Sequence, residues 1–382
     1  MPTLRIPFHS GESDDGTGMT IGFHTSLFMP SQGSSELFLH RLVGDLQNRS
    51  HEAVMVAPSR QRPTGLPYPF VRCWRPRSKR YFVGNALPQL LYAHMRYGID
   101  VLHCHGEYRA ACSAYLFHKF TGVPYVCHAL GSDFATVEHF PRLQRKMRTA
   151  LSKVSQMVAQ GSFLRHRILE LGIPEEKITI APNGVDIESF RACFKSDTRM
   201  VESPHILYAG GLRRTKGFDL LLRAFAEIAD DYRDVKLLLV GNNRRMTDFE
   251  TQVAELQLDE RAMYLGVCPH EVVAELMGNC LFCVAPARRS PFSIVNLEAM
   301  AAGVPLLLTA VDGNCEQIRD GEEGFLVPVG DVKALAAGMR RLLADDRLRE
   351  HMGAKAFARA ASFSWANTVS AYEACYKQVA KP

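Results

Sequence analysis

The feature that most constrains this chain is an alternation of short apolar runs with helical periods, and it occurs twice. Apolar runs of strand length lie at 19–27, 52–57, 100–103, 124–127, 153–159 and 178–181. Between the first two, residues 34–47 place Leu37, Leu39, Leu42, Val43 and Leu46 at a helical spacing, and 110–120 form a second helical segment. Near-continuous apolar strands separated by helices predict a parallel sheet covered on both faces. The pattern then restarts, with strands expected at 205–208, 235–240, 263–265, 281–284, 305–308 and 324–327 and helices at 218–229, 331–343 and 347–361. The fold class expected is α/β, two doubly wound Rossmann-like halves in tandem, joined near 183–190. In such sheets ligands lie beyond the carboxyl ends of the strands, so the expected site is a cleft between the halves.

The length of 382 residues suits about two domains. With 47% hydrophobic and 22% charged residues the composition is that of an ordinary globular chain, which excludes disordered and fibrous classes. No apolar run approaches the ~18–20 residues of a membrane span. Residues 1–18 carry Glu12, Asp14 and Asp15 and no apolar h-region, so they read as a flexible leader rather than a signal peptide. The ten cysteines lack a repeated spacing and read as free thiols, and no His/Cys cluster has zinc spacing. Cys280 and Cys283 form a C-x-x-C inside an apolar run that reads as a buried strand, with the two thiols on opposite sides. A cytoplasmic location follows.

The net charge of +5 is unevenly spread. Residues 1–195 hold 23 Lys+Arg and 15 Asp+Glu, a balance of +8; the remaining 22 and 25 give −3. The excess concentrates in a Pro-containing loop with Arg72, Arg75, Arg77, Lys79 and Arg80, and on a helix from Pro141 carrying Arg142, Arg145, Lys146 and Arg148. That helix also has the apolar stripe Leu143, Met147, Leu151 and Val154, so a wet basic face on a packed helix explains it as well as attraction to an anionic acceptor or the inner membrane face. Nucleic acid fits less well, because no aromatic series interleaves the charges.

Three segments carry chemistry. Tyr208-Ala-Gly-Gly-Leu-Arg-Arg-Thr-Lys-Gly217 is strand, Gly-rich turn and helix start, with Arg213, Arg214 and Lys216 on the turn. Glycines admit a close ligand and cations neutralise phosphate oxygens; a solvated basic turn is the plain alternative, and the Walker pattern is absent. Ser290-Pro-Phe-Ser-Ile-Val-Asn-Leu-Glu-Ala-Met-Ala-Ala-Gly303 follows a strand and opens a helix near Ser293 that Gly303 closes. A helix start offers unpaired N–H groups to phosphate. Glu298 inside the helix suits a diol such as ribose, or is an ordinary surface residue. Ile178-Thr-Ile-Ala-Pro-Asn-Gly-Val-Asp-Ile187 holds the turn signal Asn183-Gly184, which a plain hinge also explains.

In this order and spacing the three segments resemble the GT-B glycosyltransferases of glycosyltransferase family 4, with their G-[RG]-L-x-x-x-K-G turn, N-G-V-D hinge and E-x7-E motif running into E-A-M-A-x-G. The first half agrees more loosely, through Gln32-Gly-Ser-Ser-Glu36, Ser50-His-Glu52, Asp100-Val-Leu-His-Cys-His-Gly106 and Leu130-Gly-Ser-Asp133. Phe363-Ser-Trp365 resembles the point where the final helix crosses back to the first domain. The resemblance therefore implies an acceptor domain at 19–184 plus 364–382, and a nucleotide-sugar domain at 185–363, facing across a cleft.

By resemblance, Lys216 binds the donor diphosphate together with the backbone of Phe292, Ser293 and Ile294. Glu298 holds the ribose, Leu265, Gly266 and Val267 line the base pocket, and Gly33 and Ser34 form a first-domain loop near the diphosphate. Gly211, Arg213, Arg214, Gly241, Ser290 and Pro291 complete the donor set. Lys216, Glu298, Asp133 and His128 are the candidate catalytic groups, and His105, Glu107, Arg75 and Arg145 the candidate acceptor contacts. The motif's first Glu falls on Ser290 and the following Gly on Ser293, its common diphosphate Arg falls on Gly211, and its catalytic-loop His falls on Leu130 with His128 two residues earlier. The implied reaction is retaining transfer of a hexosyl group from a UDP- or GDP-linked sugar, with no metal or other cofactor. The acceptor class is a small molecule, a lipid-linked species or a glycan. A sugar-nucleotide epimerase of the same two-lobed fold and a catalytically weak nucleotide-sugar-binding protein are the competing readings.

Overall fold

A computed structural model describes residues 18–26, 34–59, 65–73, 82–106, 108–131, 141–192, 201–242 and 246–380. By packing, the chain divides into one unit of residues Met1–Val158 and Glu373–Pro382 and a second of Ala159–Tyr372. The leader at 1–17, Gly33, Arg75, Glu107, Asp133 and the side chain of Ser34 lie outside the described residues.

The first unit is built on strands β1 (Thr20–Thr25), β2 (Glu52–Pro58), β3 (Phe70–Cys73), β4 (Val101–His105), β5 (Tyr125–His128) and β6 (Gln156–Ala159). They pair in parallel in the order β3-β2-β1-β4-β5-β6. Helices α1 (Ser34–Asn48), α2 (Phe82–Tyr97), α3 (Tyr108–Thr121) and α4 (Pro141–Leu151) connect them. One expectation needs correction: Arg72 belongs to β3 rather than to a loop, and α2 adds a helix where none was expected. Pro88 lies inside α2, against ordinary propensity, but Ala86, Leu90 and Ala93 make a fully buried stripe that holds it. On α4 the expected division appears: Met147 and Leu151 are buried while Arg142, Arg145, Lys146 and Arg148 are exposed.

The second unit starts with α5 (Ser162–Leu169), β7 (Ile178–Ile180) and the short α6 (Ile187–Ala192). Its sheet contains β8 (His205–Ala209), β9 (Lys236–Val240), β10 (Ala262–Tyr264), β11 (Phe282–Ala285), β12 (Leu306–Thr309) and β13 (Gly324–Val327), all parallel, in the order β10-β9-β8-β11-β12-β13. That is the doubly wound order, with its switch point between β8 and β11. Helices α7 (Phe218–Ala226), α8 (Met246–Glu255), α9 (His270–Gly278), α10 (Ile294–Ala301), α11 (Asn314–Gln317), α12 (Val332–Ala344) and α13 (Asp346–Ala360) complete it. Alternate strand residues enter two cores: Ile206, Leu237, Leu239, Phe282 and Leu307 pack on one face, and Leu207, Leu238, Val240, Cys283 and Leu306 on the other.

The Cys280–Cys283 expectation is overturned. The strand begins at Phe282, so Cys280 lies in the bend before it and its sulfur approaches that of Cys283 to 3.7 Å. Burial pushes the Cys280 thiol well above its ordinary pKa.

The last helix, α14 (Trp365–Val379), begins in the second unit and ends in the first. Its Tyr376 hydroxyl bonds His103 Nδ1 at 2.9 Å, and Glu373 pairs with Arg49 at 2.6 Å, Lys377 at 2.6 Å and His51 at 3.3 Å. Burial alone would raise the Glu373 pKa, but these three partners together draw it down to about 2. A depressed carboxylate stabilises the fold above its unfolded value and loses that contribution as pH falls. Thermal melts between pH 6 and pH 2 should therefore show wild type losing stability more steeply below about pH 4.5 than Glu373→Gln. Parallel profiles would remove this group as the cause.

Candidate active site

The loops after β8 and β11 meet at the switch point of the second sheet. After β8, Gly210 and Leu212 donate to Val240 O at 2.8 Å and Asn242 O at 3.0 Å. A Cβ on Gly241 would lie 2.2 Å from Gly210 O, so only glycine lets the β8 and β9 loops approach this closely. Tyr208 and Tyr264 tie the same loops, donating to Gly211 O at 3.0 Å and Gly241 O at 2.6 Å. The chain then makes one 3-10 turn, Arg214–Lys216.

Arg288 fastens that turn to the β11 loop. Its N–H donates to Thr215 O at 2.9 Å, and its guanidinium grips the Asp219 carboxylate through two bonds of 2.7 and 2.8 Å. Lys216 is half-buried here, with Arg213 and Arg214 exposed beside it. Burial and the Arg213 charge lower the Lys216 pKa, and the Asp312 carboxylate works the other way. The turn is thus a concentrated positive site, and sequence order alone did not show that Asp312 faces it.

Ser293 precedes α10 without a side-chain cap, leaving the backbone N–H groups at the start of the helix for another partner. Buried amides hold this start in place. Gln317 donates to Ser293 O at 2.7 Å, and Asn296 donates to Asn314 Oδ1 at 3.1 Å and Gln317 Oε1 at 2.8 Å. Asn183 donates to Phe292 O at 3.0 Å and accepts from Gln160 at 3.0 Å. The hinge asparagine is therefore a structural brace of the β11 loop, a role that its turn signal does not convey. Gly303, at φ +73, ends the helix as expected.

Glu298 is 14% exposed and its Oε1 lies 2.9 Å from His270 Nε2 on α9, a partner that the sequence reading missed. Leu265 and Val267 are exposed on either side of Gly266, whose φ is +79. Ser290 is only 3% exposed and donates its N–H to Asp312. The structure thus gathers Lys216, Gly211, Gly241, Ser290, Pro291, Phe292, Ser293 and Ile294 on adjoining loops, with Glu298 farther along α10.

The first unit treats its candidates differently. His105 and His128 are 3% and 2% exposed, so neither ring lies at the surface. They are register partners on β4 and β5, with Nδ1 atoms 3.2 Å apart, and His103 stands two residues from His105 on the same sheet face. Ser35 Oγ lies 2.9 Å from His105 Nε2. Burial lowers all three pKa values, that of His105 to about 4, which keeps the rings neutral. Ligand atoms of the three lie within 4.8 Å of one another, making this the group among the described residues able to hold a metal ion. A spacing search passes over it because His128 joins through strand register. Both rings sit below the surface, since parallel strands at the middle of a sheet are covered on both faces. Arg145 is exposed.

Known proteins resemble this chain along most of its length. Residues 191–359 match the family described as glycosyl transferases group 1, and residues 35–189 match glycosyltransferase family 4. The chain is 28% identical to the N-acetyl-alpha-D-glucosaminyl L-malate synthase of Bacillus anthracis, across 92% of this chain and 95% of that one. It is 30% identical to D-inositol 3-phosphate glycosyltransferase 1 of Catenulispora acidiphila, across 73% and 72%. Among solved structures, Anabaena HepE in complex with UDP and glucose superposes with a TM-score of 0.79 at 19% identity, covering 94% of this chain and all of that one.

Proposed function

Because this chain belongs to the GT-B glycosyltransferases of family 4, we propose that it moves a hexosyl group from a nucleotide-diphosphate sugar to an acceptor hydroxyl with retention of anomeric configuration. The observation that carries this reading is the half-buried Lys216 on a turn bonded to the loop that opens α10. An ammonium and a helix N-terminus converging at a switch point suit a diphosphate leaving group. The diphosphate is placed on Lys216 and the N–H groups of Phe292, Ser293 and Ile294, the ribose diol on Glu298, and the base against Leu265, Gly266 and Val267.

In the step proposed, the glycosidic C–O bond to the diphosphate breaks and its electron pair leaves with the phosphate oxygen. The acceptor oxygen bonds the anomeric carbon from the same face, and the departing phosphate oxygen takes the acceptor proton. Lys216 and the backbone N–H groups stabilise the charge that develops on the diphosphate, a preorganised electrostatic contribution. These groups supply what a divalent cation would otherwise supply, so turnover should be unchanged by EDTA.

A thermal-shift screen of nucleoside diphosphates and their sugars tests the donor site. Ligands that bind only the folded state raise stability by mass action, about 2.7 kcal/mol at a hundred times Kd. UDP or GDP and a matching sugar nucleotide should shift the melt; no shift with any of them would sink the donor reading.

The acceptor is placed in the first unit, and the exposed basic face of α4 favours an anionic one. No described helix is long and apolar enough to cross a membrane. Flotation with vesicles containing phosphatidylserine should succeed at low salt and fail at high salt, since each basic residue near such a surface contributes about 1 kcal/mol. No flotation at low salt removes the membrane from the partners.

A further inference from the structure

We propose that Asp312 reads the sugar of the donor, its carboxylate accepting hydrogen bonds from hydroxyl groups of the hexose attached to the diphosphate. This rests on the donor site argued above and adds the residue that distinguishes a sugar nucleotide from the bare nucleotide.

The backbone is the first indication. Asp312 has φ +43, in the left-handed region that few residues other than glycine adopt. Strain of this kind persists where surrounding structure enforces it, and it concentrates at functional sites. The enforcement is visible. Gly313 donates to Ser290 O at 3.0 Å, and a Cβ on it would lie 1.9 Å from Pro291 O. Thr309 donates to Ala287 O at 2.5 Å. The loop between β12 and α11 is thereby pressed onto the β11 loop, and Asp312 is delivered to the phosphate end of the site.

The carboxylate is held by one oxygen. Ser290 N–H donates to Oδ2 at 2.9 Å, and among the described residues Oδ1 accepts no hydrogen bond. A carboxylate so anchored is a fixed acceptor with a second oxygen on offer.

Its neighbour decides what it can accept from. Asp312 is close enough to Lys216 to act on its charge, yet the two are farther apart than the 4 Å of an ion pair. A gap bounded by an ammonium on one side and a carboxylate on the other fits a ligand with opposite needs at its two ends. Phosphate oxygens suit Lys216, and hydroxyl donors suit Asp312. A carboxylate at a phosphate site serving no hydroxyl would only repel the ligand. The buried Ser290, standing where the family motif carries its first Glu, has no carboxylate to offer, and Asp312 brings one to its backbone from another loop.

The test is calorimetric titration of wild type, Asp312→Asn and Asp312→Gly with UDP and UDP-glucose, and with GDP and GDP-mannose in parallel. Asparagine tolerates the left-handed backbone and keeps an oxygen for Ser290 N–H, so Asp312→Asn should fold normally. Asp312→Gly relieves the strain but leaves the Ser290 N–H without its acceptor, so its melt is recorded beside wild type to show that it is folded. Both variants should bind the sugar nucleotide about 10–100-fold more weakly while binding the bare diphosphate as well as wild type or more tightly. If both ligands change by the same factor, Asp312 is only a counter-charge for Lys216 and the proposal is overturned. If wild type binds none of the four, the donor reading fails and this proposal falls with it. If wild type binds both members of a pair and the variants keep its preference, the proposal alone fails.

Discussion

Replacing Lys216 by Ala should lower kcat/KM about 10²–10³-fold, the loss typical of removing one group aimed at developing charge. The ammonium is half-buried on a turn braced by Arg288, so it is preorganised rather than recruited from solvent. Burial and Arg213 push it toward its neutral form. A bound diphosphate pulls the other way, which strengthens the interaction as negative charge grows on the leaving group. Most of the loss should therefore appear in kcat and less in KM. Stability should change little, because the side chain fills no core. Initial rates with the sugar nucleotide identified by thermal shift, together with a melt, check both parts. A kcat near wild type would remove Lys216 from the chemistry.

The largest stability effect is expected one residue later. Gly217 has φ +77, and a Cβ there would lie 1.8 Å from Pro286 O and 2.7 Å from its carbonyl carbon. Gly217→Ala combines a left-handed conformation costing about 1–2 kcal/mol with displacement of backbone costing about 1–3. A total of about 2–5 kcal/mol should lower the melting temperature of a unit this size by roughly 4–20 °C. Moving the 286–288 segment also breaks its bonds to Thr215 and Asp219, so the donor turn should lose nucleotide affinity as well. Gly266→Ala is the control. It has a similar φ of +79 but nothing within 4 Å of the added carbon, so it should cost only the conformational part. Equal losses at the two positions would show that the close approach to Pro286 does not matter.

The loops proposed for the donor were legible in sequence because they are built from local signals. Strand, glycine turn and cations follow one another within ten residues at Tyr208–Gly217, and a helix start with its closing glycine lies within fourteen at Ser290–Gly303. Such segments fold into the same local shapes wherever they occur, so their residues could be named in advance. Asn183 and Asp312 were not legible in this way. Asn183 braces Phe292 from 109 positions away, and Asp312 bonds Ser290 across 22. His270, set against Glu298 over 28 positions, is a third example.

By itself the sequence determined the α/β class, the two parallel sheets and the loops proposed to hold the donor, because hydrophobic period and turn chemistry act over a few residues. Only the tertiary structure decided that His105 and His128 are interior, that Cys280 and Cys283 are neighbours, and that a carboxylate returns beside Ser290. Each of these depends on strand register or loop packing, where long-range contacts set burial and charge and no short stretch of chain contains both partners.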